Sequence, residues 1–283
     1  MDVNQCYFIN NKIHLEAVLN NNDYNINKSE LLNFHKSLPN YNPTKLVNLD
    51  NLSKQLNLKN IYIKDESSRF GIKAFKGLGA SYALHKIIEK NNDPSLTFCT
   101  ATDGNHGKSL AWAAKHFNRK CVVYVPKETV QARITRIADE GAIVKKINND
   151  YDETVNQISF DAKKNKWVLI QDTAFEGYTE VPKLIMTGYL TILYELEEQF
   201  KNKQQPDFVF LSAGVGTWAA IAILYFVKTF NEKRPKFICV EPVTADCVLE
   251  SMKQGKLSKS KGNGNTIMAG LNCGTPSTIV SEK

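Results

Sequence analysis

Apolar and polar residues follow two rhythms along most of the chain, after a polar, asparagine-rich N-terminal region. One rhythm is a short, mostly apolar run of strand length, found at residues 60–65, 96–102, 120–126, 143–148, 167–172, 207–213 and 236–242. The other is a longer segment with apolar residues at helical spacing, found at residues 77–90, 105–117, 131–142, 152–164, 180–200 and 217–230. A strand-like run is expected to give way to the first of these helices at Lys76.

The alternation of strands with helices predicts an α/β fold in which parallel sheets are covered by helices. In such sheets, ligands bind beyond the carboxyl ends of the strands. Three predicted strands run at this end into polar or glycine-rich residues, which are Asp103-Gly104-Asn105-His106-Gly107, Asp172 and Gly214-Val215-Gly216-Thr217. These strand ends are therefore the predicted location of a site.

Each of these strand ends also has an ordinary structural interpretation. The glycine loop that ends at Thr217 could cradle a phosphate with its backbone N–H groups, or it could only form a turn. Asp103 could be a helix N-cap, Asn105 could be a polar residue in a first helical turn, and Asp172 could simply end its strand. Taken singly, none of them establishes a function.

Taken together with Lys76, the set fits one cofactor. Lys76 follows Phe75 and is succeeded by Gly77 and Gly79, a frame that a surface lysine does not need. A lysine amine, a phosphate cradle, an asparagine that can donate to a phenolate oxygen and an adjacent aromatic ring suit pyridoxal phosphate. That cofactor is held covalently by a lysine and stabilises a carbanion at Cα.

Composition and charge add little to this picture. The net charge of +7 comes from scattered lysines, and the densest basic stretch, residues 253–264, is rich in Gly, Ser and Asn. We interpret this as a solvated surface and a flexible loop, so no nucleic-acid partner is expected. The cysteines show no spacing typical of metal ligands, so no metal site is expected.

The predicted location is the cytoplasm. The first residues, MDVNQCYFINNKIHLEA, lack the basic start and apolar core of a signal peptide, and no apolar run is long enough to span a bilayer, so no membrane partner is expected. Cys247 and Cys273 lie in loop-like surroundings. They could pair, or they could remain free thiols in a reducing compartment.

The blocks KAFKGLGA, DGNHG and AGVGT resemble, in this order, the motifs of the fold-type-II pyridoxal-phosphate-dependent enzymes. Within that group the chain is similar to the diaminopropionate ammonia-lyase family, through ESSRFGIKAFKGLGASYA, TATDGNHGKSLAWAA, QDTAFEGYTEVPKLIMTGYLT and NTIMAGLNCGTPS. The resemblance runs from about residue 30 to the end of the chain. It implies two domains, a smaller one at 76–186 and a larger, cofactor-binding one at 1–75 and 187–283.

The resemblance also implies a role for each matching position. Lys76 would bind the cofactor covalently, Phe75 would pack beside it, and Asn105 would donate a hydrogen bond to its phenolic oxygen. Asp103 and Asp172 would be the acidic residues of the substrate site. The phosphate would be cradled by Gly214, Val215, Gly216 and Thr217.

The implied reaction is an α,β-elimination that converts 2,3-diaminopropionate into pyruvate and ammonia. Relatives that act on serine or threonine typically have a small neutral residue in place of Asp103, and an acidic partner there would favour a substrate with a second, cationic amine. Either Asp103 or Lys76 could remove the Cα proton. A homodimer is expected, because relatives are commonly dimers.

Two features depart from the family pattern. Phe175 stands where the family usually has tryptophan, and the chain ends at TPSTIVSEK, before a segment that normally completes the larger domain. The larger domain is therefore expected to be incomplete. Two alternatives stay open: a serine or threonine dehydratase of the same fold, and an inactive remnant that binds the cofactor weakly or not at all.

Overall fold

The computed structural model describes residue 8 and residues 26–102 and 104–281 of the chain. Its α-helices are α1 (Lys28–Ser37), α2 (Asp50–Gln55), α3 (Lys76–Lys90), α4 (Asn105–His116), α5 (Gln131–Ala138), α6 (Tyr151–Asn165), α7 (Glu180–Phe200), α8 (Thr217–Phe230) and α9 (Cys247–Gln254). Its strands are β1 (Lys45–Asn48), β2 (Tyr62–Asp65), β3 (Thr97–Ala101), β4 (Lys120–Val125), β5 (Ile143–Lys146), β6 (Val168–Leu169), β7 (Phe208–Ser212) and β8 (Lys236–Val240). None of the helices in these ranges combines the length and the apolar character needed to cross a membrane.

The largest sheet has the strand order β5-β4-β3-β6, and every pairing in it is parallel. Alternate residues of its strands face opposite sides, as strand geometry requires. Cys99 and Val122 pack against Ile158 of α6 on one side, whereas Phe98 and Val123 belong to the main apolar core on the other. The predicted α/β fold with parallel strands flanked by helices is confirmed.

Two smaller sheets lie outside this one. Strands β7 and β8 form a parallel pair, with Ser212 opposite Val240 at their carboxyl ends. Strands β1 and β2 form an antiparallel pair, and the sequence did not predict β1. The strands of the largest sheet lie within 97–169, and the division into domains at 76–186 and at 1–75 with 187–283 stays a prediction.

The segment before Lys76 is not a strand, so that expectation was wrong. Residues Glu66–Gly71 form a 3-10 helix that is kinked at Arg69 and Phe70, and Phe70 has a left-handed backbone with φ of 53°. The ring of Phe70 is buried and stacks on Trp112 at 4.6 Å between ring centroids. Packing of this ring offsets the strain of a non-glycine residue at positive φ.

A buried ion network fixes this segment onto α7. The guanidinium of Arg69 is fully buried and bonds to Glu195 on α7 at 2.7 Å and to Glu66 at 2.7 Å. Lys64 on β2 reaches the same Glu195 at 2.6 Å. Cations and carboxylates share the network, so no charge in it is left unpaired, which is the condition for burying charge without a large penalty.

Helices α3 and α7 approach each other closely because both carry glycine at the contact. A Cβ on Gly79 would lie 2.7 Å from the carbonyl oxygen of Ile185 and 2.7 Å from the ring of Tyr189. A Cβ on Gly188 would overlap the carbonyl of Leu78. The contact brings the start of α3, where Lys76 lies, next to Tyr189 on α7.

Candidate active site

A cavity lies at the carboxyl end of β7, between the N-termini of α3 and α8. Its lining includes the glycine loop together with aromatic, acidic and basic side chains. These residues are Phe75, Lys76, Thr102, Tyr151, Asp172, Tyr189, Ser212, Ala213, Gly214, Val215, Gly216, Thr217, Trp218, Gly270, Leu271, Asn272 and Cys273. The structure thus brings together Lys76, Phe75, Asp172 and the whole loop 214–217.

The centre of the cavity is an ion pair. Lys76 Nζ lies 2.7 Å from Asp172 Oδ2, and their side chains are 26% and 8% exposed. Burial alone lowers the pKa of Lys76, but the Asp172 carboxylate, together with the side chains of Tyr189 and Cys273, raises it overall. Burial alone raises the pKa of Asp172, but the charges of His106 and Lys76 hold it well below its usual range. At neutral pH, therefore, the pair is an ammonium and a carboxylate.

His106 lies behind Asp172, at the second position of α4. Its Nε2 is 2.7 Å from the carbonyl oxygen of Ile170. Its Nδ1 is 3.8 Å from Asp172 Oδ2 and is buried without a hydrogen-bond partner. Burial lowers the pKa of His106, and the nearby Lys76 ammonium lowers it further, whereas Asp172 opposes both.

An aromatic cluster closes one side of the cavity. The ring of Phe75 lies 5.1 Å from that of Tyr189 and 5.7 Å from that of Trp218, between ring centroids. Tyr189 is 1% exposed, and burial raises the pKa of its phenol. The hydroxyl therefore stays protonated and can act as a hydrogen-bond donor towards the cavity.

The loop from Gly214 to Thr217 has the geometry of an anion cradle. Gly216 has a φ of 93°, which favours glycine, and a Cβ on Gly214 would lie 3.1 Å from the sulfur of Cys273. The N–H groups of residues 215–217 donate to no backbone acceptor within the described ranges. No side chain caps α8, so these donors at a helix N-terminus fit a phosphate.

The structure places Asn105, another predicted site residue, outside this cavity. Asn105 is exposed and lines a neighbouring cavity with Lys108, Arg133 and Arg136. This neighbouring cavity shares Gly270 and Leu271 with the first. Asp103 lies outside the described residues. The roles assigned to the predicted site residues, those in the cavity included, stay predictions.

Sequence reasoning missed several residues of the cavity, among them Tyr151 and Tyr189, and also Gln171, which bonds to Tyr151. Tyr151 begins α6, and its hydroxyl accepts a hydrogen bond at 3.0 Å from Nε2 of the fully buried Gln171. Gln171 also accepts from the hydroxyl of Thr100 at 2.8 Å, so its amide is fixed. The sequence did contain a signal for Gln171: it is a polar residue, next to Asp172, in the mostly apolar run 167–172. Nothing in the local pattern singled out Tyr151 or Tyr189.

A lysine at the start of one helix and a glycine loop at the start of another, both opening into one cavity beside parallel strands, define an enzyme site built for a phosphorylated carbonyl cofactor. Residues 38–282 match the model of a family described as "Pyridoxal-phosphate dependent enzyme". The chain belongs to this family.

Two relatives show which group within this family the chain resembles. The chain is 43% identical over 274 residues to diaminopropionate ammonia-lyase of Salmonella typhimurium, covering 88% of this chain and 68% of the relative. It is 38% identical over 263 residues to diaminopropionate ammonia-lyase of Escherichia coli K12, covering 87% and 66%. The resemblance to this group that the motifs predicted is confirmed, and the chain spans about two thirds of the length of these relatives.

Solved structures agree with the sequence comparison. The Escherichia coli diaminopropionate ammonia-lyase, in complex with an aminoacrylate-PLP azomethine reaction intermediate, superposes with a TM-score of 0.85 at 37% identity. The match covers 93% of this chain and 70% of that chain.

A more distant relative by sequence is the biosynthetic L-threonine dehydratase of Staphylococcus epidermidis RP62A. It is 26% identical over 205 residues, covering 71% of this chain and 46% of the relative.

Proposed function

We propose that this chain catalyses the pyridoxal-phosphate-dependent α,β-elimination of 2,3-diaminopropionate. Substrate and one water yield pyruvate and two molecules of ammonia. The observation that carries the proposal is the pair of Lys76 and Asp172 at 2.7 Å, in the same cavity as the loop from Gly214 to Thr217. The named relatives at 43% and 38% identity support the choice of substrate.

The residues of the cavity fit the cofactor. Nζ of Lys76 would hold its aldehyde carbon, the N–H groups of the loop 214–217 would hold its phosphate, and Phe75 would pack beside Lys76. When bound, pyridoxal phosphate supplies an electron sink for the charge left on Cα after proton removal. Asn105 is proposed to donate a hydrogen bond to the phenolic oxygen. Asn105 lies in the neighbouring cavity, so this role rests on the motif resemblance alone.

Lys76, Asp172 and Asp103 are proposed to bind, orient or transfer the protons of the reaction. Lys76 must give up a proton before its amine can act as a nucleophile or as a base towards Cα. Asp172 accepts a hydrogen bond from Nζ at 2.7 Å and so orients the amine in the cavity. Asp103 is proposed to pair with the β-ammonium of the substrate, to take the Cα proton, or to do both in turn.

A serine or threonine dehydratase has weaker support. The threonine dehydratase of Staphylococcus epidermidis is 26% identical to this chain, against 43% for the ammonia-lyase of Salmonella typhimurium. The buried carboxylate of Asp172 also favours a cationic substrate group over a hydroxyl. Turnover of serine and threonine beside diaminopropionate separates the two functions.

The test begins with an absorbance spectrum of the purified chain after addition of pyridoxal phosphate, beside Lys76→Ala. A visible band in the wild type that is absent from the variant is expected, followed by pyruvate release from diaminopropionate in excess of that from serine or threonine. Folded protein with no band would refute the proposal for this chain, and preferred turnover of serine or threonine would replace it with the dehydratase.

We also propose a homodimer in the cytoplasm, with a smaller domain at 76–186 and a larger one at 1–75 and 187–283. The family resemblance supports the dimer and the domains. Among the described residues, Cys99, Cys121, Cys239 and Cys247 are free thiols, which suits a reducing compartment. Light scattering of the purified protein and fractionation of the producing cell test these proposals.

A further inference from the structure

His106 is the buried end of a row of three titratable side chains. Lys76 Nζ is 2.7 Å from Asp172 Oδ2, and the same oxygen is 3.8 Å from His106 Nδ1. His106 is 2% exposed. The carbonyl of Ile170, at 2.7 Å, can only accept a hydrogen bond, so Nε2 carries a proton and Nδ1 is the atom whose protonation can change.

The environment of Nδ1 is unusual. In the neutral ring Nδ1 carries a lone pair, and it faces a carboxylate with no donor between them. In the protonated ring Nδ1 would be a donor aimed at that carboxylate. A buried polar atom without a partner calls for an explanation, and a second protonation state provides one.

The charge on Lys76 decides between the two states. Within the described ranges, the charged groups that act on His106 are Asp172, which favours the imidazolium, and Lys76, which disfavours it. While Lys76 is an ammonium, Asp172 has a partner and the ring is held neutral. When Lys76 loses its proton, Asp172 becomes a buried anion without a counter-charge, and both changes favour protonation of Nδ1.

We propose that His106 is a positioning residue for Asp172: it is neutral while Lys76 is an ammonium and binds a proton at Nδ1 when Lys76 becomes a neutral amine. In this step an N–H bond of Nζ breaks and an N–H bond of Nδ1 forms, with Oδ2 of Asp172 between them. The charge of the row is unchanged, and Asp172 stays ionised with a cation beside it. The purpose of the step rests on the proposed function, since only a neutral Lys76 can attack a carbonyl, but the coupling is a property of the chain alone.

The test uses the cofactor-free full chain with ¹⁵N-labelled histidine. Nuclear magnetic resonance follows the imidazole of His106 against pH in the wild type, Lys76→Met, Lys76→Arg and Lys76→Met combined with Asp172→Asn. His106→Gln assigns the signal. The pKa of His106 is expected to rise by about 1 to 3 units in Lys76→Met, to stay low in the charge-preserving Lys76→Arg, and to fall again in the double variant.

Two results would overturn the inference: a pKa of His106 that does not respond to Lys76→Met, or a rise that persists without the Asp172 carboxylate. A second measurement covers variants that fold poorly. His106→Gln keeps a donor for Ile170 but binds no proton, so modification of Lys76 by trinitrobenzenesulfonate, followed by mass spectrometry, should need a higher pH than in the wild type. An unchanged pH midpoint would mean that His106 only ties α4 to the sheet. Neither readout depends on cofactor binding, so the coupling can hold even if the proposed function fails.

Discussion

Removing one charge of the Lys76–Asp172 pair should destabilise the folded chain even without cofactor. Two unit charges at 2.7 Å attract each other by about 6 kcal/mol at an effective dielectric constant of about 20. Desolvation of both groups offsets much of this attraction. Breaking a buried pair on one side nevertheless costs about 3 to 5 kcal/mol, because the remaining charge is left uncompensated. Lys76 is 26% exposed, so we expect the lower end, about 3 kcal/mol, for Asp172→Asn.

The assay is a double-mutant cycle of urea unfolding with Asp172→Asn, Lys76→Met and the two combined. The combined variant should be destabilised by less than the sum of the single variants, because it leaves no unpaired charge. A coupling energy below about 0.5 kcal/mol would refute the reasoning. It would mean that water already screens the pair.

The pH dependence gives an independent check on the same pair. The folded pKa of Asp172 lies below its unfolded value, so its contribution is present above about pH 4 and is lost as the pH falls towards the folded pKa. The folded pKa of Lys76 lies above its unfolded value, so its contribution is present below about pH 10 and is lost above that. The stability difference between wild type and Asp172→Asn should therefore be greatest in the neutral range and shrink in acid.

Three further outcomes are expected. Gly188→Ala places a methyl group against the carbonyl of Leu78 and should lower the free energy of unfolding by about 1 to 3 kcal/mol, as measured in urea. Glu195→Gln leaves the buried guanidinium of Arg69 with a weaker partner and should cost about 3 kcal/mol in the same assay; a loss below 1 kcal/mol would argue that Glu66 suffices. Burial raises the pKa of Glu241 to about 7, above its unfolded value, so stability should fall as the pH rises from about 4 to 7; thermal midpoints at pH 5 and pH 8 should differ less in Glu241→Gln.

The order of elements could be predicted because each helix buries one stripe of apolar residues and each central strand is apolar on both sides. The prediction of a helix at 217–230 agrees with α8 to the residue. Elements outside the largest sheet were harder to predict from the sequence. Strand β1 has only four residues and packs through the antiparallel partner β2 rather than through its own periodicity. The 3-10 helix before Lys76 depends on the buried contacts of Arg69 and Phe70, which no local pattern encodes.

The glycines around Lys76 show how a motif can be correct for a reason other than the first one suggested by the sequence. In the sequence they belonged to the frame that set Lys76 apart from a surface lysine. In the structure, a Cβ on Gly77 would lie 3.0 Å from the ring of Phe70, and a Cβ on Gly79 would meet α7 at 2.7 Å. Both glycines therefore face packed protein, not the cavity. Their effect on the site is indirect: Gly79 lets α3 approach α7, where Tyr189 lies, and Gly77 lets α3 pack on Phe70 and Ile72. Lys76 and Asp172 are 96 positions apart in the sequence, and their pairing therefore depends on how α3 packs against its neighbours. A local motif can indicate this packing but cannot explain it.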